Sequence, residues 1–311
     1  MSKYIIGVDG GGTKTLGVIF NMKGEIIHRY ETGFANFSAD EVISKVNIEK
    51  TLDNLIKKLS KNDELIHIQL GIAGNSKLKD KENYVKHLKY KYSTSIDMTN
   101  DALIALYSVK KDLEMNVIMV LGGTGSVVMS SNGEGYTIIG GFGHLLGDGG
   151  SSYHLSITAL KRIINEFEEN KEFSELSKAL LHEINADDHY GISKFVYNST
   201  KSEIAKLSIF ISKLALNGNK DAIKLFIEEG KNLSKQTYSA YQKLQTNEKV
   251  IIGIKGGFLL NAPYVKETFI AELNKLDINY KILKEQVEPV VGAYYLGLKK
   301  ITKEWRNGWY K

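Results

Sequence analysis

Two glycine-rich turns, each set between short apolar strands, constrain this chain's fold more than any other feature. The first is Gly7-Val-Asp-Gly-Gly-Gly-Thr-Lys-Thr15, preceded by Tyr4-Ile5-Ile6 and followed by Leu16-Gly-Val-Ile-Phe20. Three consecutive glycines leave backbone N–H groups open to close approach and allow positive φ, which suits a phosphate cradle. Asp9 enters that cradle from the first strand, placed to hold a magnesium ion through water. Thr13, Lys14 and Thr15 add hydroxyl and ammonium donors. Taken alone, the segment also fits a plain hairpin turn.

A second copy favours the phosphate loop. Asn116–Leu121 is another apolar strand, followed by Gly122-Gly-Thr-Gly-Ser126, the strand Val127–Ser131, a turn at Asn132–Gly135 and the strand Tyr136–Ile139. The opening has the same plan: strand 3–9, glycine turn, strand 15–21, a turn at Met22-Lys23-Gly24, and strand 25–31. Two βββ units roughly a hundred residues apart predict a duplicated domain, a phosphate hairpin from each half, and nucleotide in a cleft between the halves. Two commoner nucleotide loops are excluded. A P-loop beginning at Gly7 would need lysine where Thr13 stands, and then a helix in place of the short β-branched Leu16–Phe20. No G-x-G-x-x-G lies near the first strand, so the Rossmann fingerprint is absent.

The rest of the chain fits an α/β protein of two domains, for which 311 residues give room. Asp40–Leu59 reads as a helix with Val42, Val46, Leu52, Leu55, Ile56 and Leu59 on one face; Ile66–Ile72 is a strand; the lysine-rich 77–91 stretch is a solvated amphipathic helix. A strand over Ser95–Thr99 leads into helix 102–110. A glycine-rich loop over 140–150 leads into a helical tract reaching about residue 246. Strand Lys249–Ile254, helix 264–276, strand 279–283 and a final helix from Pro289 to Lys300 complete the order. The expected domains are 1–112 plus 289–311, on the sugar and phosphate side, and 113–288, with a helical insertion, on the nucleotide side.

Composition removes several chemistries. The chain has no cysteine, so disulfides, thiolate nucleophiles and cysteine-ligated clusters are out. Hydrophobic and charged contents of 42% and 25% are ordinary for a globular protein. No apolar run approaches the length of a membrane span and no leader precedes the first strand, so a cytoplasmic location is expected. A net charge of +5 without arginine clusters or a recognition motif gives no case for nucleic acid.

Phosphoryl transfer needs phosphates held, a metal to spread charge, and a base to orient the attacking hydroxyl. Asp101 is the candidate base, at the carboxyl end of a strand and the start of a helix, where ligands of α/β sheets collect. The same position suits a helix cap, as do Thr99 and Asn100. Gly140–Tyr153 places six glycines around Asp148 and His144 just before a helix. Asp148 can accept bonds from sugar hydroxyls, while Ser151 and Ser152 offer N–H groups or a cap. Gly253–Leu260 has a strand end bare enough to lie against a flat base, or is a plain turn. The acidic pairs Glu168-Glu169, Asp187-Asp188 and Glu228-Glu229 read as solvated surface.

With these residues assembled, the chain resembles the acetate-kinase, sugar-kinase, Hsp70 and actin superfamily, and within it the N-acetylglucosamine kinase branch of the BadF/BadG/BcrA/BcrD ATPases. The resemblance runs in order through Asp9–Thr15, Gly33 to Asn36, Asn100-Asp101-Ala102, Gly123-Thr-Gly-Ser126, Gly143-His144, Gly147-Asp148, Gly256-Gly257, and Glu288-Pro289 with Gly292-Ala293. It implies two ribonuclease-H-like (actin-like ATPase) domains around a cleft. It implies ATP phosphates on Gly11, Gly12, Thr13, Lys14, Thr124 and Gly125, Mg2+ near Asp9, and adenosine flanked by Gly256 and Gly257. Asp101 becomes the general base, with sugar contacts from Asn36, Asp101, Asp148 and Ser151.

Two residues depart from the family pattern. Gly149 replaces the glutamate of Gly-Asp-Glu-Gly-Ser, and Val127 replaces a polar residue after Gly-Thr-Gly-Ser. A roomier, less acidic pocket admits an acid-bearing sugar such as N-acetylmuramic acid beside N-acetylglucosamine. The expected activity is ATP-dependent phosphorylation of an N-acetylated amino sugar. Glucosamine or another hexose is the alternative acceptor, and a catalytically silent ATP or sugar sensor the alternative class. A radical-dehydratase activator shares the family but needs cysteines for its cluster. A homodimer is expected, through the small apolar face of 289–300 or the helices of 150–246.

Overall fold

The computed structural model describes residues 2–111, 115–132, 135–283 and 287–306, with side chains as far as 302. In chain order the elements are β1 (Lys3–Gly10), β2 (Thr15–Asn21), β3 (Ile26–Thr32), α1 (Glu41–Ile56), β4 (Glu64–Ile72), α2 (Lys81–Tyr92), β5 (Ser95–Thr99) and α3 (Asp101–Lys110). Then come β6 (Val117–Gly122), β7 (Ser126–Ser131), β8 (Thr137–Gly140), α4 (Ser152–Glu168), α5 (Glu175–Glu183), α6 (His189–Asn198), α7 (Lys201–Leu216) and α8 (Lys220–Leu244). The chain closes with β9 (Val250–Lys255), α9 (Gly257–Asn261), α10 (Val265–Leu273), β10 (Tyr280–Ile282) and α11 (Pro289–Arg306). Two compact units result, Met1–Met115 with Glu285–Lys311, and Asn116–Lys284. The expected boundary at 112/113 falls outside the described residues.

Each unit holds one five-stranded sheet, and the two sheets share one topology. The order is β3-β2-β1-β4-β5 in the first unit and β8-β7-β6-β9-β10 in the second. In both, the first three strands form an antiparallel meander, and the last two add in parallel beside the first. The repeated βββ pattern in the sequence is therefore a repeated ribonuclease-H-like sheet, with helices covering its faces.

In the first unit, β1 is buried on both sides and its residues alternate between them. Ile6 and Val8 join Ile48, Leu52 and Leu55 of α1 and Leu88 of α2. Ile5 points the other way, toward Val290, Tyr294 and Ile301 of α11. Position 7, on the same face as Ile5, is glycine because α11 presses on it: a Cβ there would lie 2.9 Å from the Val290 carbonyl oxygen. Arg29 of β3 ties Glu288, just before α11, in a 2.6 Å ion pair. The small apolar face of α11 is thus consumed within its own unit and is not available to a second chain.

The expected inner face of α1 is also corrected. Val42 and Val46 are exposed, and Ser44, Ile48, Thr51, Leu52 and Leu55 point inward. Residues two positions apart on a helix are separated by about 200° around its axis, so Val42 and Val46 lie opposite Ser44. Ser44 is drawn inward by hydrogen bonds to Asn36 and Asp40. In the second unit one large core joins β6, β7 and β9 to helices from α4 to α10, with a smaller cluster of Tyr153, Ile204 and Ala205 beside it. The short helix α9 begins directly after Gly256, so strand β9 passes into a helix across the Gly256-Gly257 step.

Candidate active site

In the first unit the register places the candidate residues at the carboxyl edge of the sheet. Asp9 pairs with Gly71 on β4, and Gly71 with Thr99 on β5. Asp9 and Thr99 therefore lie in one row roughly 10 Å apart, two strand spacings. Segments 35–37 and 73–74 are stitched to the end of β1: Ala35 N–H donates to the Gly11 carbonyl (3.0 Å), Ala73 N–H to Gly10 (2.8 Å) and Phe37 N–H to Ala73 (3.0 Å). Asn36 sits in this lacing, its Oδ1 accepting from Ser38 N–H at 2.9 Å.

Asn100, not Asp101, caps α3, accepting the Leu103 N–H at 2.6 Å. That separates the two roles the sequence left combined. The Asp101 carboxylate, at the first position of the helix, stays out of the cap. Burial pushes its pKa above the ordinary aspartate value, against the pull of the N–H groups of Ala102 and Asp101 itself.

The first hairpin turns tightly, with Gly11 N–H donating to the Lys14 carbonyl at 3.0 Å. Thr15 is buried and its hydroxyl donates to the Gly33 carbonyl, whereas Gly12, Thr13 and Lys14 are exposed. Lys14 forms a 2.7 Å ion pair with Glu31, which raises its pKa. The glycines have distinct causes. Gly10 is crowded by Ile72 and Ala35, but a Cβ on Gly12 would meet nothing within 4 Å, and Gly12 has no left-handed φ.

In the second unit, the turn at 123–125 closes with Gly123 N–H on the Gly125 carbonyl (2.8 Å). A Cβ on Gly123 would also meet nothing within 4 Å. Helix α4 starts against this turn: Ser152 N–H donates to the Gly123 carbonyl at 2.9 Å. Gly256 has φ 92° and packs its Cα face on the backbone of Gly122, which brings the Gly256-Gly257 step to the hairpin base. A cavity of about 480 Å³ opens there, lined by Thr124, Ser152, Gly257 and Phe258 and by Ala205 and Ser208 of α7. The α7 wall is invisible in the sequence, because nothing in a helix 80 residues downstream marks which of its faces meets the hairpin.

Asp148 has φ 68° and is almost wholly buried. It accepts the Ser126 N–H at 3.4 Å and binds Lys201 Nζ at 2.6 Å. Ser151 is fully buried and acts as the N-cap of α4, its Oγ accepting from His154 N–H at 3.1 Å. Its hydroxyl therefore holds the helix start, and Ser152 is the serine that reaches the cavity. His144 is exposed and packs edge-to-face on Tyr153.

Glu229 contradicts its assignment to solvated surface. Its side chain is 2% exposed, and it accepts from His154 Nδ1 at 2.7 Å and, in a short bond, from the Gly150 N–H. The His154 pKa is raised chiefly by that hydrogen bond. The signal was present: Glu229 falls on the inward row Ala222, Phe226, Leu233, Thr237 and Ala240 of α8. Glu228 beside it is exposed as expected, and Asp188 caps α6. Above Glu229 on α8, Gln236 donates to the Gly149 carbonyl at 2.6 Å, so α8 holds the 148–150 backbone from below.

The model of the BadF/BadG/BcrA/BcrD ATPase family matches residues 6–297. A Clostridium acetobutylicum protein named N-acetylmuramic acid/N-acetylglucosamine kinase is 30% identical over 300 residues, covering 94% of this chain and 97% of that one. A Dictyostelium discoideum N-acetyl-D-glucosamine kinase is 27% identical, with 96% and 99% covered. Among solved structures, one from Chromobacterium violaceum aligns with TM-score 0.71 at 19% identity over 95% and 98% of the chains. A ROK family glucokinase from Streptomyces griseus aligns with TM-score 0.54 at 17% identity over 95% and 99%. These two share the fold. From the family match over nearly its whole length, the chain belongs to the BadF/BadG/BcrA/BcrD ATPase family.

Proposed function

We propose that the protein transfers the γ-phosphoryl group of ATP to a hydroxyl of an N-acetylated amino sugar, N-acetylglucosamine or N-acetylmuramic acid, in amino-sugar or cell-wall sugar salvage. The observation that carries this is the pair of open hairpin glycines. Gly12 and Gly123 are required neither by packing nor by a left-handed φ, so their bareness serves something that approaches the backbone from outside. A polyphosphate is the ligand that such N–H groups fit. Gly11, Thr13, Lys14, Thr124 and Gly125 belong to the same two turns. The cavity beside Gly257, with the bare Gly256-Gly257 step and the Phe258 ring, suits adenosine.

The remaining roles follow from placement. Asp101 accepts the proton of the attacking hydroxyl, and burial, which raises its pKa, strengthens it as a base. Asn36 and Asp148 hold sugar hydroxyls or the N-acetyl amide, and Ser151 keeps the start of α4 in position. Asp9 fits Mg2+. No cluster of three metal-ligating side chains occurs among the described residues, and an ion bound mainly by phosphates and water needs only one carboxylate. When bound, that ion spreads the charge of the phosphates. No helix among the described residues is long and apolar enough to cross a membrane. A cytoplasmic homodimer completes this reading, through the helices of 150–246, where Tyr190, Tyr197 and Leu216 are exposed.

Two variants test the cradle. Gly12→Ala and Gly123→Ala have room for the methyl, so melting should be unchanged or slightly raised. The KM for ATP should rise about tenfold or more in each, the loss of a hydrogen bond to a charged group. An unchanged KM in both removes the cradle.

The acceptor is tested at Gly149. A Cβ there would make ordinary contact, 3.6 Å from Asn232, so the backbone accepts a side chain at this position. Like charges in a desolvated site are costly. The variant should therefore lose kcat/KM for N-acetylmuramic acid by about tenfold more than for N-acetylglucosamine. Equal losses on the two sugars would show that Gly149 has no part in admitting the acid. Monitoring sugar-dependent ADP release across glucose, glucosamine and the two N-acetylated sugars tests the substrate class, with plain glucose expected to be poor.

A further inference from the structure

Lys201 is the first residue of α7, where the helix dipole disfavours a cation. It does nothing for the start of that helix, which Thr200 and Glu203 close with a complete capping box. Its ammonium is instead held 2.6 Å from Oδ2 of Asp148, a carboxylate only 3% exposed, and lies 5.9 Å over the Tyr153 ring. Both charges sit against the second hairpin. A Cβ built on Gly125 would be 2.9 Å from Asp148 Oδ2 and 3.0 Å from Lys201 Nζ.

This placement has an electrostatic consequence. An unpaired carboxylate so close to a phosphate-holding turn would repel the ligand, in surroundings where charges are weakly screened. Lys201 cancels that charge, and its side chain, about a third exposed, keeps a path outward. A lysine ammonium on a four-carbon stem can change partner within such a reach.

We infer that Lys201 is a nucleotide-phosphate contact: Nζ leaves Asp148 for a phosphate oxygen held at the Gly123–Ser126 turn, freeing the Asp148 carboxylate to accept hydrogen bonds. The inference rests on the proposed role of that turn as a phosphate cradle. It adds to the reaction a second cation beside Lys14 of the first hairpin, and it couples nucleotide binding to the availability of Asp148.

The test is calorimetric titration of the full-length protein with MgATP and, separately, with adenosine. Lys201→Met should weaken MgATP by roughly 10- to 100-fold, the range for a bond between charged groups, and leave adenosine within twofold. Lys201→Arg should recover part of the loss. Lys224→Met, which removes an exposed charge on α8, should bind both ligands as the parent does. Asp148→Asn should tighten MgATP in the parent by removing the competing anion. MgATP binding by Lys201→Met within threefold of the parent overturns the inference. So does an equal loss for ATP and adenosine, or full recovery in the Lys201→Met/Asp148→Asn double variant, which would make the lysine only a counter-ion of Asp148. A parent that binds adenosine but gains nothing from the phosphates of MgATP would instead remove the cradle itself, and the inference with it.

Discussion

Asp101→Asn should lower turnover by a factor of about 10²–10⁴ while MgATP still binds, because the change keeps shape and removes the proton acceptor. The structure adds a control that separates this loss from unfolding. The folded-state pKa of Asp101 is raised, with burial as its main cause. A carboxylate with a raised pKa weakens the folded state above that pKa, where it is charged, and the penalty fades as pH falls through it. The neutral amide escapes the penalty at neutral pH, so the variant should melt no lower than the parent. In the parent, activity should fall on the acid side through a pKa above that of an ordinary aspartate, and this acid limb should vanish from the residual activity of the variant. Turnover within a few-fold of the parent would take Asp101 out of the chemistry.

The largest effect on stability is expected far from any ligand. Gly292 lies where α11 crosses α3, and a Cβ on it would overlap the Ile104 carbonyl oxygen and the Ser108 nitrogen of α3. These are backbone atoms, so no side-chain rotation relieves the clash and the two helices must separate. Neighbouring contacts of α11 depend on that approach, Gly7 of β1 against Val290 among them. Overpacking of this kind costs about 3 kcal/mol or more, which in a domain of this size lowers Tm by roughly 10 °C. A Gly292→Ala protein that melts within 2 °C of the parent would show that the helices have slack at this crossing. The comparison with Gly12→Ala is informative, since that residue has open space around it and is expected to alter nucleotide use instead.

Much of this was legible in the residues because it depends on local pattern. Strand periodicity and glycine turns located both meanders, and their duplication implied the repeated sheet. The small residues of Val290–Gly297 marked a helix that packs closely on another. What failed depended on which side of a helix turns inward. Apolar Val42 and Val46 suggested a buried row, but Ser44, drawn in by the backbone at Asn36, sets the rotation of α1. Glu229 looked like surface because it is half of an acidic pair; only the row it shares with Phe226 and Leu233 places it inside. Asp101 and Asn100 were interchangeable as caps until the Leu103 N–H was assigned to Asn100. Lys201 was out of reach altogether, as its partner Asp148 lies 53 residues away.

Phosphorus NMR of the wild-type protein with ATP, Mg2+ and N-acetylglucosamine follows the transferred group itself. As ATP is converted to ADP, a sugar phosphomonoester resonance should appear, and it should be absent at matched times with Asp101→Asn. Accumulation of inorganic phosphate alone, at a rate indifferent to the sugar, would contradict a sugar kinase and leave only an ATPase.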